Sequence, residues 1–138
     1  MNQQHIALVQ QTFALAAPDA ALIAERFYDQ LFTLDPTLRA LFPAEMSEQG
    51  EKLMTMLAFA VHGLNRPEQL LAPLRRLGER HCHYGVQPHH YVTVGDALLG
   101  TLAQHFGPAF TAEVRDAWYA AYILLATTMQ ETTVVRTA

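Results

Sequence analysis

The chain has 138 residues, of which 51% are hydrophobic and 16% charged, with a formal net charge of −4 at pH 7 when histidine is neutral. That length fits one domain spanning 1–138, and the apolar fraction excludes an intrinsically disordered chain. A pI near 5.9 argues against nucleic acid or an anionic membrane surface as the main partner, because both attract basic patches.

Prolines and glycines punctuate the chain at Pro18, Pro36, Pro43, Gly50, Pro67, Gly85, Pro88 and Gly107-Pro108. Between them apolar residues recur at helical spacing with little strict alternation, so the expected class is all-α. Residues 3–16 form a first helix with Ile6, Val9 and Phe13 in line. A second runs from Asp19, a favourable N-cap type, to about Phe32, stopping before Asp35-Pro36. A short turn covers Pro36–Leu41, followed by Phe42-Pro43 and a polar corner. Residues 48–64 place Gln49, Leu53, Met56, Leu57, Ala60 and Leu64 on one side. Residues 67–83 open on a proline and carry Leu70, Leu74, Leu77 and then His81. Helices over 88–106 and 111–131 complete the series, the last with Val114, Trp118, Tyr122, Leu125 and Met129 in register. Their unequal lengths and short corners favour an orthogonal helix sandwich over a bundle of matched rods.

Location follows from what the sequence lacks. Cys82 is the single cysteine and cannot form an intramolecular disulfide, and the start MNQQHIALVQQ has no basic stretch ahead of an apolar one. The longest apolar run, Ala117 to Ala126, is ten residues, whereas a membrane span needs about 20. The expectation is a cytoplasmic protein with no membrane partner.

His81 is the most informative position. At about 100° per residue it points the same way as Leu70, Leu74 and Leu77, so an imidazole ends an apolar stripe that faces the interior. A buried imidazole needs a partner for each nitrogen, or a metal on one of them. Within a helix Nδ1–H reaches the carbonyl of Leu77 one turn back, which leaves Nε2 free as a ligand. Periodicity alone leaves open whether His81 is a hydrogen-bonded core histidine or a metal ligand. Cys82, His83, His89 and His90 lie close by, but His81 and Cys82 project about 100° apart and no second cysteine exists, which disfavours a structural zinc site. Tyr28 and Gln49 each put a neutral donor near an apolar face, read equally as a core tyrosine and a solvated glutamine. No GxSxG, HExxH, P-loop or GxGxxG occurs, and no carboxylate pair stands out.

The strings FYDQLF (27–32), RALFP (39–43), EQGEKLM (48–54), RHCHYGV (80–86), HYVTVGDALLG (90–100) and AWYAAY (117–122) together resemble the bacterial single-domain globins of the flavohaemoglobin lineage, over about residues 5 to 130. The resemblance implies a globin fold, a three-over-three helical sandwich holding non-covalent haem b. It implies His81 as the proximal iron ligand, Phe42 stacked on the haem, and Tyr28 and Gln49 as distal hydrogen-bond donors. Leu53, Leu57, Val86, Tyr91 and Val94 would line the pocket, Tyr122 would stand near the proximal histidine, and Arg80 would meet a propionate. A glutamate usual near the end of the last helix has no match, since Thr133 takes its place and Glu131 lies two residues early. The implied activity is O₂ binding or scavenging, with NO and CO as further ligands, or NO dioxygenation driven by an external flavin reductase. The alternatives are a gas or redox sensor module, or a haem-free adaptor.

Overall fold

A computed structural model describes residues 1–137, with side chains through Glu131. Among the described residues there are six α-helices and no strands: α1 (Gln3–Ala16), α2 (Ala20–Leu34), α3 (Ser47–His62), α4 (Pro67–His83), α5 (Pro88–Phe106) and α6 (Ala112–Thr137). Short 3₁₀ turns at Ala17–Asp19, Pro36–Leu41, Gly63–Asn65 and Gly107–Ala109 make the corners. The all-α expectation holds, and the helix starts follow local chemistry. Asn2 Oδ1 accepts the His5 amide at 2.8 Å, and Thr111 Oγ1 accepts the Val114 amide at 3.2 Å, so each occupies an N-cap. Prolines open α4 and α5, where a missing amide proton is harmless. Three boundaries differ from expectation, one of them that of α6, which runs to Thr137 instead of ending at 131. α2 continues to Leu34 because only Asp35, extended at φ −145°, breaks the pattern, and α3 tightens into a 3₁₀ turn at Gly63.

The helices form two layers, α1, α3 and α4 against α2, α5 and α6. Their most extensive pairings are α4 with α6, α2 with α5 and α1 with α6. The segment Gln3–Leu34 is long and apolar enough to cross a membrane by length and composition, which the length of unbroken apolar runs did not reveal. In the fold its apolar residues Ile6, Val9, Phe13, Ile23, Phe27 and Leu31 are buried in the core. The largest buried side chain, Trp118, donates from Nε1 to Thr12 Oγ1 at 2.8 Å, satisfying its polar atom while joining α6 to α1.

The core is divided. A main cluster gathers residues of α1, α2, α3, α5 and α6, and a smaller one gathers Leu70, Leu74, Tyr91, Ala126 and Met129 between α4, α5 and α6. The approach of α4 to α6 in the smaller cluster depends on Gly78, where a Cβ would stand 2.2 Å from the carbonyl oxygen of Met129. Backbone cannot retreat as a flexible side chain can, so the helices would have to separate. Gly78→Ala is therefore expected to lower the unfolding free energy by about 3 kcal/mol, read as a fall in urea midpoint. A variant as stable as the parent would show that the helices part freely here.

Candidate functional site

Between the two clusters lies an apolar cavity with about 1020 Å³ of unfilled space, part of it open to solvent. One wall comes from α4, whose stripe brings Leu74, Leu77 and His81 to the cavity as their spacing predicted. His81 Nδ1 lies 2.8 Å from the carbonyl oxygen of Leu77 and donates to it, so Nε2 carries the lone pair. Among the described residues no hydrogen bond engages that Nε2. Burial holds His81 below the usual histidine range, opposed by the bond to Leu77 and reinforced by the neighbouring Arg80 charge. The ring is thus a neutral imidazole bordering an apolar space.

The turn after α4 fixes what faces His81 next. Gly85 takes φ +90°, where a side chain would be strained, and the Val86 amide returns to the His81 carbonyl at 3.0 Å. Val86 is thereby brought to the cavity, and Pro88 starts α5, which contributes His90, Tyr91 and Val94. The Tyr91 ring centroid is 6.4 Å from that of His81. Tyr122, from α6, donates its hydroxyl to the Tyr91 carbonyl, and its ring lies where a Cβ on residue 95 would stand, 2.7 Å from Cε2, so Gly95 makes room for it. Burial, with Tyr91 and Asp96 adding to it, pushes the Tyr122 hydroxyl far up, so it stays a donor.

The opposite wall is apolar throughout: Phe27 and Leu31 from α2, Phe42 from the corner, and Leu53, Met56 and Leu57 from α3. Phe42, Leu53, Leu57, His81, Val86, Tyr91, Val94 and Tyr122 are therefore brought together around one space, as the sequence suggested. Three named residues do not border it. Arg80 is exposed, because one residue before His81 it projects about 100° away from the cavity face. Tyr28 is buried behind the wall, its ring 5.4 Å from Phe42, 6.0 Å from Phe32 and 5.0 Å from Phe27. Gln49 is half-buried, with its side chain near the Tyr28 hydroxyl. Burial raises the Tyr28 pKa and the Gln49 side chain lowers it, the net being upward. The two polar residues thus stand near each other beside the cavity. Glu131 pairs with Arg75 at 3.7 Å on the surface, and Thr133 lies outside the residues whose side chains are described. Sequence reasoning missed His90, seen only as one of a run of histidines, although its place three residues into a proline-started helix is a capping position.

Among the described residues no group of three or more His, Cys, Asp or Glu side chains could hold a metal, and Cys82 is exposed. A lone imidazole nitrogen at an apolar cavity fits a different arrangement. A flat apolar cofactor would supply the other ligands, and the protein one axial nitrogen. The residues present fit haem on that ground.

Comparison with known proteins points the same way. The family model described as Globin matches residues 25–129. The chain is 30% identical over 130 residues to a flavohemoprotein of Vibrio cholerae, covering 91% of this chain and 33% of the relative. It is 32% identical to a flavohemoprotein of Xylella fastidiosa, again over 91% of this chain and 32% of that one. The chain therefore spans about a third of the length of the curated relatives it matches. Among solved structures, an engineered carbene transferase built on a Rhodothermus marinus protein assigned as a nitric oxide dioxygenase superposes with a TM-score of 0.87 at 27% identity, covering 99% and 96% of the two chains. A bacterial globin from Campylobacter jejuni shares the fold with a TM-score of 0.87 at 19% identity, covering 99% and 100%.

The depressed His81 pKa has a stability consequence. Below the unfolded histidine value of about 6.5, the unfolded chain takes up a proton that the folded protein resists, so stability falls as pH drops through that point. In cofactor-free protein, His81→Leu is expected to reduce the loss of urea midpoint between about pH 7.5 and 5.5. An unchanged slope would contradict the burial of this ring as a neutral imidazole.

Proposed function

The chain belongs to the globin family, and on that premise we propose that it holds haem b in the apolar cavity and binds O₂, NO and CO. We further propose that it acts in O₂ binding or scavenging, and as an NO dioxygenase when a separate flavin reductase supplies electrons. The observation that carries this reading is the free Nε2 of His81 at the cavity, with Nδ1 committed to the Leu77 carbonyl. Bound there, the cofactor supplies an iron with one position open to a diatomic ligand.

The remaining work falls to the chain. His81 would give the iron its protein nitrogen, and its bond to a main-chain carbonyl fixes the ring and the tautomer. Leu77, Val86, Val94, Phe42, Leu53 and Leu57 line the same cavity, so its walls would shield a bound cofactor from water. In a space so poor in polar groups, a hydrogen bond to a partly charged ligand is strong. Tyr28 and Gln49 are the donor pair beside that wall, and the raised Tyr28 pKa keeps its hydroxyl protonated at neutral pH. Turned from Gln49 toward the ligand, that hydroxyl would stabilise negative charge developing there. NO dioxygenation consumes one O₂, one NO and one electron to give nitrate, which is why a reductant is required. A flavin enzyme is proposed for that role because the curated relatives are named flavohemoproteins.

Two measurements test the reading. Loss of a hydrogen bond of about 1–3 kcal/mol predicts that Tyr28→Phe releases O₂ roughly tenfold to a hundredfold faster. An O₂ dissociation rate equal to the parent's removes Tyr28 from the account. The oxygenated protein is expected to consume NO once per molecule alone, and repeatedly when a flavin reductase and NADH are added. Failure to consume NO under either condition leaves a carrier and excludes the dioxygenase.

A further inference from the structure

Four polar side chains border the cavity: His81, His90, Tyr91 and Tyr122. Two have their roles within the walls, His81 through Leu77 and Tyr122 through the Tyr91 carbonyl, while the Tyr91 side chain is buried. His90 differs. The Gln87 amide donates to His90 Nδ1 at 2.8 Å, which closes the first turn of α5 and leaves the ring proton on Nε2. Among the described residues no acceptor takes that Nε2–H. Burial and the adjacent His89, whose ring centroid is 4.2 Å away, hold His90 below the usual histidine range against the opposing pull of Asp35. The group is therefore a neutral donor, held in place by main chain, with its hydrogen unspent.

Its position matters as much as its chemistry. Leu41, 39% exposed, borders the cavity and lies next to Gly85, so the edge between the Pro36–Leu41 turn and the α4–α5 connection faces solvent. His90, itself part-exposed, borders the same cavity, and the Asp35 carboxylate at the start of that turn is near enough to act on it. A porphyrin is an apolar ring with two carboxylates, and the carboxylates must stay at such an edge, since burying them unpaired is prohibitive. Among the described cations, Arg39 is committed to main chain and the others do not line the cavity. Arg39 donates to the carbonyls of Phe42, Pro43 and Ala44 at 3.3, 2.8 and 3.0 Å, Lys52 stands 3.9 Å from Glu48, and Arg80 does not border the cavity.

We infer that His90 is a cofactor-holding residue, its Nε2–H donating to a porphyrin carboxylate at the mouth of the cavity. The inference rests on the proposal that the cavity takes haem. Two substitutions separate the helix cap from the carboxylate contact. In His90→Gln the amide oxygen accepts from the Gln87 amide and the NH₂ donates outward, so both functions persist. In His90→Glu the carboxylate still accepts the cap bond but repels a second carboxylate.

The readout is the rate at which holoprotein gives up haem to a scavenging apoprotein, with the melting temperature of each cofactor-free variant alongside. The expected results are equal apoprotein melting temperatures, haem loss from His90→Gln within about twofold of the parent, and loss from His90→Glu roughly tenfold faster. Reconstitution with iron protoporphyrin dimethyl ester, which has no free carboxylates, should bring all three to one rate. Equal rates with ordinary haem, or a difference that survives esterification, would overturn the assignment. A parent protein with no Soret band after haem addition would instead overturn the haem reading itself.

Discussion

The hydrogen bond from His81 Nδ1 to the Leu77 carbonyl is the constraint on which the rest depends. It is a local bond, one helical turn long, and it decides which nitrogen is left to do chemistry. For that nitrogen to meet an apolar space, α4 must turn its stripe inward and lie close against α6. Gly78 makes that approach possible where any side chain would strike the Met129 main chain. The chain must then reverse at Gly85 and present Val86, Tyr91 and Val94 beside the same ring. Gly95 and Tyr122 complete that side by letting an aromatic ring lie flat on a helix backbone, its hydroxyl held by the Tyr91 carbonyl. Each of these steps is simple sterics or a single hydrogen bond, and together they aim one lone pair.

The divided core gives the arrangement its energetic logic. The helices do not close into one packed interior but leave an apolar gap between a large cluster and a small one. The side chains lining such a gap forfeit dispersion contacts on one face, and an apolar gap attracts little water in compensation. A flat hydrophobic cofactor would restore those contacts and join the clusters, so cofactor binding and folding stability would be linked. The small cluster, formed largely by α4 and α6, would gain the most, and it is also the part that carries His81.

Much of this was legible in the residues, for identifiable reasons. Prolines at 18, 36, 67, 88 and 108 each sit in the first turn of a helical segment, so the corners could be placed by eye. The Leu70, Leu74, Leu77, His81 stripe is a strictly local pattern, and its Leu74, Leu77 and His81 landed on the cavity while Leu70 is buried in the small cluster. What failed to show was tertiary or ambiguous. Nothing in the spacing of Tyr28 and Gln49 says that they stand near each other behind Phe27 and Phe42. His90 was hidden by its histidine neighbours, because its meaning comes from a cap bond to Gln87 and from bordering the cavity, both of them features of the folded chain. Arg80 was named for its adjacency to His81, and since neighbours on a helix project about 100° apart it is exposed and does not line the cavity wall.

The central claim, that His81 supplies the one protein ligand for a haem in this cavity, is tested most directly by opening a hole at that position. His81→Gly purified with haem should lose the Soret band of an imidazole-ligated iron, and free imidazole should restore it by entering the vacated space. A His81→Gly variant whose haem spectrum matches the parent's without imidazole would contradict the account, because some other side chain would then be holding the iron.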